Sequence, residues 1–331
     1  MMLLLNVVYI VVGVALVLWG ADRLTEGASS MARGMRVPEI VIGMTIVAAG
    51  TSAPEMFVSL ISAIKGTPDM AVGNVIGSNI FNTLLIVGCS AAIAPMAIQP
   101  STVKKDIPFA VGASMLLFML CFDDMESPHL WGNEISRQDG IILLIAFLGF
   151  MFFTFQMARR EGLLPKHEEE LGVSPVKEPR DYSGLWKNIA FIILGLACLI
   201  FGSDLFVEAA KYVAHRYGVR QSVIGLTIVA GGTSLPELAT SVVAAYKGRS
   251  AIAIGNVIGS NVMNILLVLG LTAVINPLRI MGITIVDLMT MLVSVGFLWI
   301  FAFTKYFISR REGFLLIFFF ACYMAWLLYL L

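Results

Sequence analysis

Gly43-Met-Thr-Ile-Val-Ala-Ala-Gly-Thr-Ser-Ala-Pro-Glu55 returns 182 residues later as Gly225-Leu-Thr-Ile-Val-Ala-Gly-Gly-Thr-Ser-Leu-Pro-Glu237. Each copy places a proline and an acid inside an otherwise apolar run. A second pair keeps the same offset: Gly73-Asn-Val-Ile-Gly-Ser-Asn-Ile-Phe-Asn82 and Gly255-Asn-Val-Ile-Gly-Ser-Asn-Val-Met-Asn264. The register extends upstream, with Gly20, Asp22 and Glu26 mapping onto Gly202, Asp204 and Glu208. The chain is therefore a tandem duplication whose most polar stretches sit in its most apolar surroundings.

Composition defines those surroundings. The 331 residues are 58% hydrophobic and 13% charged, with a mean hydropathy of +0.89, far from the balance of a soluble domain. About 20 apolar residues cross a hydrocarbon core. Ten such runs are expected near 3–21, 38–65, 70–94, 107–122, 139–158, 186–210, 220–247, 252–277, 283–303 and 312–331. The fold class is thus an all-α polytopic membrane protein. The N-terminal run lacks a basic flank and a small-residue cleavage site, so it reads as a first span and not a removable signal. Residues 1–158 form one five-helix unit and 186–331 the other. The charged, Pro- and Gly-containing stretch 159–185 joins them.

The placement of charge sets the orientation. With the N-terminus outside, sixteen of the 22 Lys and Arg fall on cytoplasmic connections, which predicts extracytoplasmic termini, a cytoplasmic linker and residence in the cell (inner) membrane. An odd number of spans per unit inverts the second copy relative to the first. Ten transmembrane helices then form two inverted five-helix repeats that bring equivalent motifs together near the midplane, the arrangement of secondary transporters.

Pro54 and Pro236 have no N–H to donate and disfavour helix just before them, so helices 2 and 7 are expected to break there, with Ser52 capping the restart of the first. A break at membrane depth frees carbonyls over Ala48–Thr51 and Ala230–Thr233, tolerated only where they face protein or a watery site. Glu55 and Glu237 then lie in the first turn after each break. Two carboxylates, these carbonyls and the hydroxyls of Thr51, Ser52, Thr233 and Ser234 compose a hard oxygen cage. With no Cys or His among them, calcium or sodium suits the cage better than a soft transition metal. Gly73/Gly77 and Gly255/Gly259 have GxxxG spacing, so each helix is expected to press on a broken one, while Ser78/Asn82 and Ser260/Asn264 add neutral oxygens one turn apart.

Other polar residues read more simply. Asp22, Glu26, Asp204 and Glu208 lie near span ends, where snorkelling to the interface is the plain expectation and ion access or gating the functional one. Cys89, Cys121, Cys198 and Cys322 occupy apolar runs without metal spacing, and His129, His167 and His215 lie in or beside polar connections. Formal net charge is zero, and nothing points to nucleic acid, a cofactor or an obligate protein partner. A channel would favour repeated rings over two opposed breaks. An intramembrane hydrolase lacks its catalytic pairs here, so no enzyme is expected.

The two motif pairs, GTSAPE with GSNIFN and GTSLPE with GSNVMN, resemble the signature repeats of the cation/calcium exchanger superfamily, and in particular its prokaryotic sodium/calcium antiporters. The resemblance spans the whole chain. It implies alternating access, with sodium moving down its gradient to extrude calcium electrogenically. It also implies Glu55 and Glu237 as principal calcium ligands, aided by backbone oxygens of Thr51 and Thr233. Sodium would add Ser52, Ser234, Ser78, Ser260 and the carbonyls of Ala48 and Ala230, with Asn82 and Asn264 completing the ring. Asn264 stands where potassium-dependent branches carry Asp, which argues against potassium. The linker is too short for a calcium-sensing domain. Calcium/proton antiport is the alternative, since two buried glutamates can carry protons, but neutral hydroxyl and amide oxygens suit a bare alkali ion better.

Overall fold

A computed structural model of the chain describes residues 2–35, 37–121, 134–163, 184–218, 230–280 and 282–330. Most of the linker and the first part of the second acid-bearing motif, Gly225 to Val229, lie outside the described residues. The helices are α1 (Met2–Met35), α2 (Glu39–Thr51), α3 (Ala53–Ile64), α4 (Pro68–Ile93), α5 (Ile107–Leu120), α6 (Arg137–Leu163), α7 (Leu185–Arg216), α8 (Ala230–Thr233), α9 (Leu235–Tyr246), α10 (Ser250–Ile275), α11 (Ile285–Lys305) and α12 (Arg310–Leu330). Among the described residues, seven helices are long and apolar enough to cross a membrane. The pair α2 and α3, bent by 45° at Ser52, counts as an eighth.

Exposed apolar side chains mark the lipid-facing helices. On α1, Leu4, Val11 and Leu18 are more than half exposed, and on α6 so are Ile145, Leu148 and Phe152. In lipid such a surface is ordinary, because the acyl chains are as apolar as Leu. The core instead lies around α4 and α10, whose Ile76, Ile80, Ile258 and Ile265 are fully enclosed. Polar residues concentrate in that same interior, the reverse of a soluble protein's arrangement.

Helices α1 and α7 run antiparallel in close contact. A Cβ added at Gly20 would lie 2.7 Å from the Gly195 carbonyl oxygen, and one at Gly195 2.7 Å from that of Gly20; Gly13 and Gly202 approach each other equally closely. Gly13 and Gly20 map onto Gly195 and Gly202 at the offset of 182, so each glycine meets the counterpart of the other. Only hydrogen at these positions lets the two backbones come so near.

Two expectations change in detail, and a third is met in one copy. Helix α1 continues to Met35 and α7 to Arg216, well past the apolar runs ending near 21 and 210. The extension of α1 carries a small-residue stripe, Thr25, Ala28, Ser29 and Ala32, that is buried against neighbours, a tertiary gain invisible to a hydropathy window. Two short antiparallel pairings enter an otherwise helical fold: β1 (Met96–Ala97) with β4 (Phe307–Ile308), and β2 (Glu134–Ile135) with β3 (Leu278–Arg279). They tie connections to one another outside the helices. Finally, the GxxxG expectation holds for the second copy, while for the first the counterparts of Ile40 and Met44, Ser222 and Leu226, lie outside the described residues. Cβ atoms at Gly255 and Gly259 would lie 2.7 Å from the Ile40 carbonyl and 2.6 Å from Met44 Cα, whereas Gly73 meets only Ile283 at 3.4 Å and nothing described lies within 4 Å of Gly77.

Candidate cation site

The break in the first copy is built by three local features. Helix α2 passes through a π-helical turn over Gly43–Val47, Ser52 leaves helical geometry at φ −82°, ψ 4°, and α3 restarts with Pro54 in its first turn, where the missing N–H costs nothing. Ser234 repeats this at φ −92°, ψ 8°, ahead of Pro236 and α9. Glu55 and Glu237 fall in the first turns of α3 and α9, and both are buried, at 1% and 0% exposure.

Neither serine caps its own helix, contrary to expectation for Ser52. Each instead reaches across to the other copy. Ser52 Oγ donates to Glu237 Oε1 at 3.0 Å, and Ser234 Oγ donates to Glu55 Oε1 at 3.1 Å. Ser78 Oγ lies 3.4 Å from Ser234 Oγ. A cap would satisfy one backbone donor, whereas this exchange satisfies half of a buried carboxylate, the costlier group to leave alone.

Four asparagines not assigned roles from the sequence frame the acids. Asn74 Nδ2 donates to Ser59 Oγ at 3.1 Å and to the Glu55 carbonyl at 3.3 Å. Its counterpart Asn256 donates to Ser241 Oγ at 3.0 Å and to the Glu237 carbonyl at 3.5 Å, while Asn256 Oδ1 accepts from Thr51 Oγ1 at 3.1 Å. Asn82 Nδ2 donates to Asn261 Oδ1 at 3.1 Å, and Asn264 Nδ2 to Asn79 Oδ1 at 3.2 Å. Asn79 Nδ2 reaches the Asn261 carbonyl at 3.2 Å, and Asn261 Nδ2 reaches Thr83 Oγ1 at 2.8 Å. The asparagines all lie in the quoted motifs; repetition was the signal that could have singled them out.

The amide nitrogens are thereby consumed, and oxygens are left over. Glu55 Oε2, Glu237 Oε2, Asn82 Oδ1, Asn264 Oδ1 and Ser260 Oγ are all buried with no hydrogen-bond partner. Four of the five are acceptors only when the glutamates are ionised. Buried acceptors without donors are rare and costly in proteins, and a metal cation is the ligand that satisfies them together. A donor set of carboxylate, amide and hydroxyl oxygens fits calcium or sodium.

The other sequence-selected positions have mixed outcomes. The Ala48 carbonyl is not freed: it accepts the Ser52 N–H at 2.9 Å and Thr51 Oγ1 at 3.4 Å, because the π-turn lets α-helical bonding resume before the break. Ala230 is the first described residue of α8, and Thr233, at its end, is half-buried beside a cavity shared with α3 and α7.

Over residues 5–156 and 187–329 the sequence matches the family described as "Sodium/calcium exchanger protein". The chain belongs to the sodium/calcium exchanger family. It is 31% identical over 350 residues to the sodium/calcium exchanger MaX1 of Methanosarcina acetivorans, covering 99% of this chain and 100% of that one. To the inner membrane protein YrbG of Escherichia coli it is 36% identical over 278 residues, covering 83% and 81%. Among solved structures it superposes on the sodium-calcium exchanger NCX_Mj soaked with 10 mM Na+ and zero Ca2+ with a TM-score of 0.82 at 28% identity, covering 98% of this chain and 99% of that one. This exchanger is therefore a multi-pass membrane antiporter of cations and not an enzyme.

Proposed function

We propose that this exchanger moves sodium against calcium by alternating access, through a site in which Glu55 and Glu237 are the principal ligands. The observation that carries the reading is the set of buried, donor-free oxygens on Glu55, Glu237, Asn82, Asn264 and Ser260. One calcium neutralises the two carboxylates. Sodium ions can do the same while occupying the neutral oxygens of Ser52, Ser234, Ser78, Ser260, Asn82 and Asn264, with Thr51, Thr233 and Ala230 contributing backbone oxygens, so the two cargoes compete for one cage. A relative named as a sodium/calcium exchanger and a structural neighbour soaked with sodium support this choice of ions.

The architecture we infer is ten spans as two inverted five-helix repeats, 1–158 and 186–331, joined by a cytoplasmic linker at 159–185, with extracytoplasmic termini. It is supported by the reciprocal contacts of Gly13 with Gly202 and Gly20 with Gly195, and by the exchanged bonds of Ser52 and Ser234. The resident medium is lipid; no further protein or cofactor enters the reading. Calcium/proton exchange is the competing cycle, because two carboxylates can carry two protons.

The deciding experiment is calcium flux in proteoliposomes under an imposed sodium gradient, compared with an imposed proton gradient at equal sodium. Calcium movement driven by sodium alone supports the proposal. Movement driven only by protons would replace it.

A further inference from the structure

The offset of 182 residues converts one contact in this structure into a forecast of another. Lys247, in the turn after α9, places Nζ 2.5 Å from Asp22 Oδ1 on α1. The counterparts of Asp22 and Lys247 are Asp204 on α7 and Lys65 in the turn after α3, so the duplication has kept both an acid and a lysine. Here Asp204 and Lys65 form no ion pair with each other, and both are exposed.

The helices that carry them differ in the same sense. Helix α9 packs along α1, but α3 stands away from α7. Between these two lies a cavity of about 360 Å³, lined by Pro54, Phe57 and Val58 on one side and Ser203, Asp204 and Val207 on the other. One pseudo-symmetric half is closed and the other is open.

In an inverted repeat, exchanging the conformations of the two halves generates the oppositely facing state. A contact between residue a of the first half and residue b of the second then becomes one between a + 182 and b − 182. We infer that Lys65 and Asp204 form, in the opposite-facing state, the ion pair that Asp22 and Lys247 form here, so that the two pairs alternate as gate latches during transport. The inference rests on the inverted-repeat reading above but not on which ion is coupled.

The latches are unequal. Beside the first, Glu39 accepts from Ser29 and from Arg249 Nη1 at 3.2 Å, with Arg33 Nη1 3.8 Å away. The counterparts of Glu39, Arg249 and Arg33 are Gln221, Thr67 and His215, which cannot rebuild that carboxylate-centred cluster. The state seen here has the stronger set of ties.

The test uses a chain in which Cys89, Cys121, Cys198 and Cys322 are replaced by Ala. Lys65→Cys with Asp204→Cys, and separately Asp22→Cys with Lys247→Cys, are treated in membranes with a short bifunctional thiol reagent across ranges of sodium, calcium and pH. We expect both pairs to cross-link, conditions that favour one to disfavour the other, and either cross-link to stop flux. Absence of the Lys65/Asp204 product under every condition tested, with the Asp22/Lys247 pair reacting under some, would overturn the inference, as would yields that rise and fall together. A second readout needs no cross-link: Phe57→Cys in the cavity, labelled by an impermeant maleimide from the side of Asp204. Partly exposed ion pairs are weak, so Asp22→Asn should lower labelling and Asp204→Asn raise it, each by about two- to fivefold. Shifts in the same direction, or none, overturn it. Because both readouts report conformation, they remain decisive if protons rather than sodium drive calcium.

Discussion

Glu55 and Glu237 each hold one carboxylate oxygen by a serine of the opposite repeat and present the other without a donor. Glu55→Gln or Glu237→Gln leaves a dication facing one formal charge in a low-dielectric site, an imbalance of several kcal/mol. We expect calcium flux to be lost while the variant keeps a monodisperse elution profile; flux near the parental rate in either variant would remove these residues from the ligand set. Ser52→Ala deletes a bond to a carboxylate, worth about 1.5–3 kcal/mol, so apparent calcium affinity should fall by one to two decades without loss of fold. Asn264 donates its amide to Asn79 Oδ1, so Asn264→Asp replaces that donor with a third carboxylate beside Glu55 and Glu237, and the site then calls for an additional cation. The parent should show sodium-driven calcium flux indifferent to potassium at clamped potential, and the variant some potassium sensitivity. The two acids were legible because an acid and a proline repeated inside an apolar run have no cheap structural explanation. The supporting Asn74, Asn79, Asn256 and Asn261 were not: a residue that holds a ligand's backbone looks, in sequence, like any polar residue beside a glycine.

At the scale of elements, the sequence located the breaks and left their internal geometry open. Pro54 and Pro236 announced the breaks ahead of α3 and α9, yet the π-helical turns at Gly43–Val47, Phe81–Ile86 and Asn264–Leu269 have no proline and left no mark on periodicity. Those turns shift the register by which Ser78/Asn82 and Ser260/Asn264 were placed on regular helix faces. They also explain why the Ala48 carbonyl is engaged rather than free. The pressing of α10 on α2 depends on glycine, since a Cβ at Gly259 would come within 2.6 Å of both the Met44 carbonyl oxygen and its Cα. Backbone cannot yield as a side-chain tip does, so Gly259→Ala should cost about 1–3 kcal/mol and lower the thermal midpoint. Gly112→Ala, with nothing described within 4 Å, serves as the comparison and should leave the midpoint unchanged. Equal midpoints for the two variants would show that α10 does not depend on this contact.

Across the whole molecule, the inverted arrangement proposed above would bring two acids from two halves to one site, and that would fix how much charge a cycle can move. One calcium balances the pair of carboxylates. The oxygens of Ser260, Asn82 and Asn264 are buried without a hydrogen-bond partner, and in the proposed cycle they would supply further coordination without adding charge, for more than two sodium ions. Three sodium ions per calcium is the ratio that the family resemblance implies, and such a cycle moves one net charge. An inside-negative potential of 100 mV then adds about 2.3 kcal/mol to calcium extrusion, on the order of a fiftyfold change in the calcium ratio that can be held at equilibrium. A potassium diffusion potential set by valinomycin across proteoliposomes, with the sodium gradient adjusted until net calcium flux reverses, measures this directly. The reversal point should move with voltage by the amount that one charge per cycle demands. A reversal point fixed against voltage would make the exchange electroneutral, leaving two sodium ions or two protons per calcium as the cycle that the two carboxylates alone can carry.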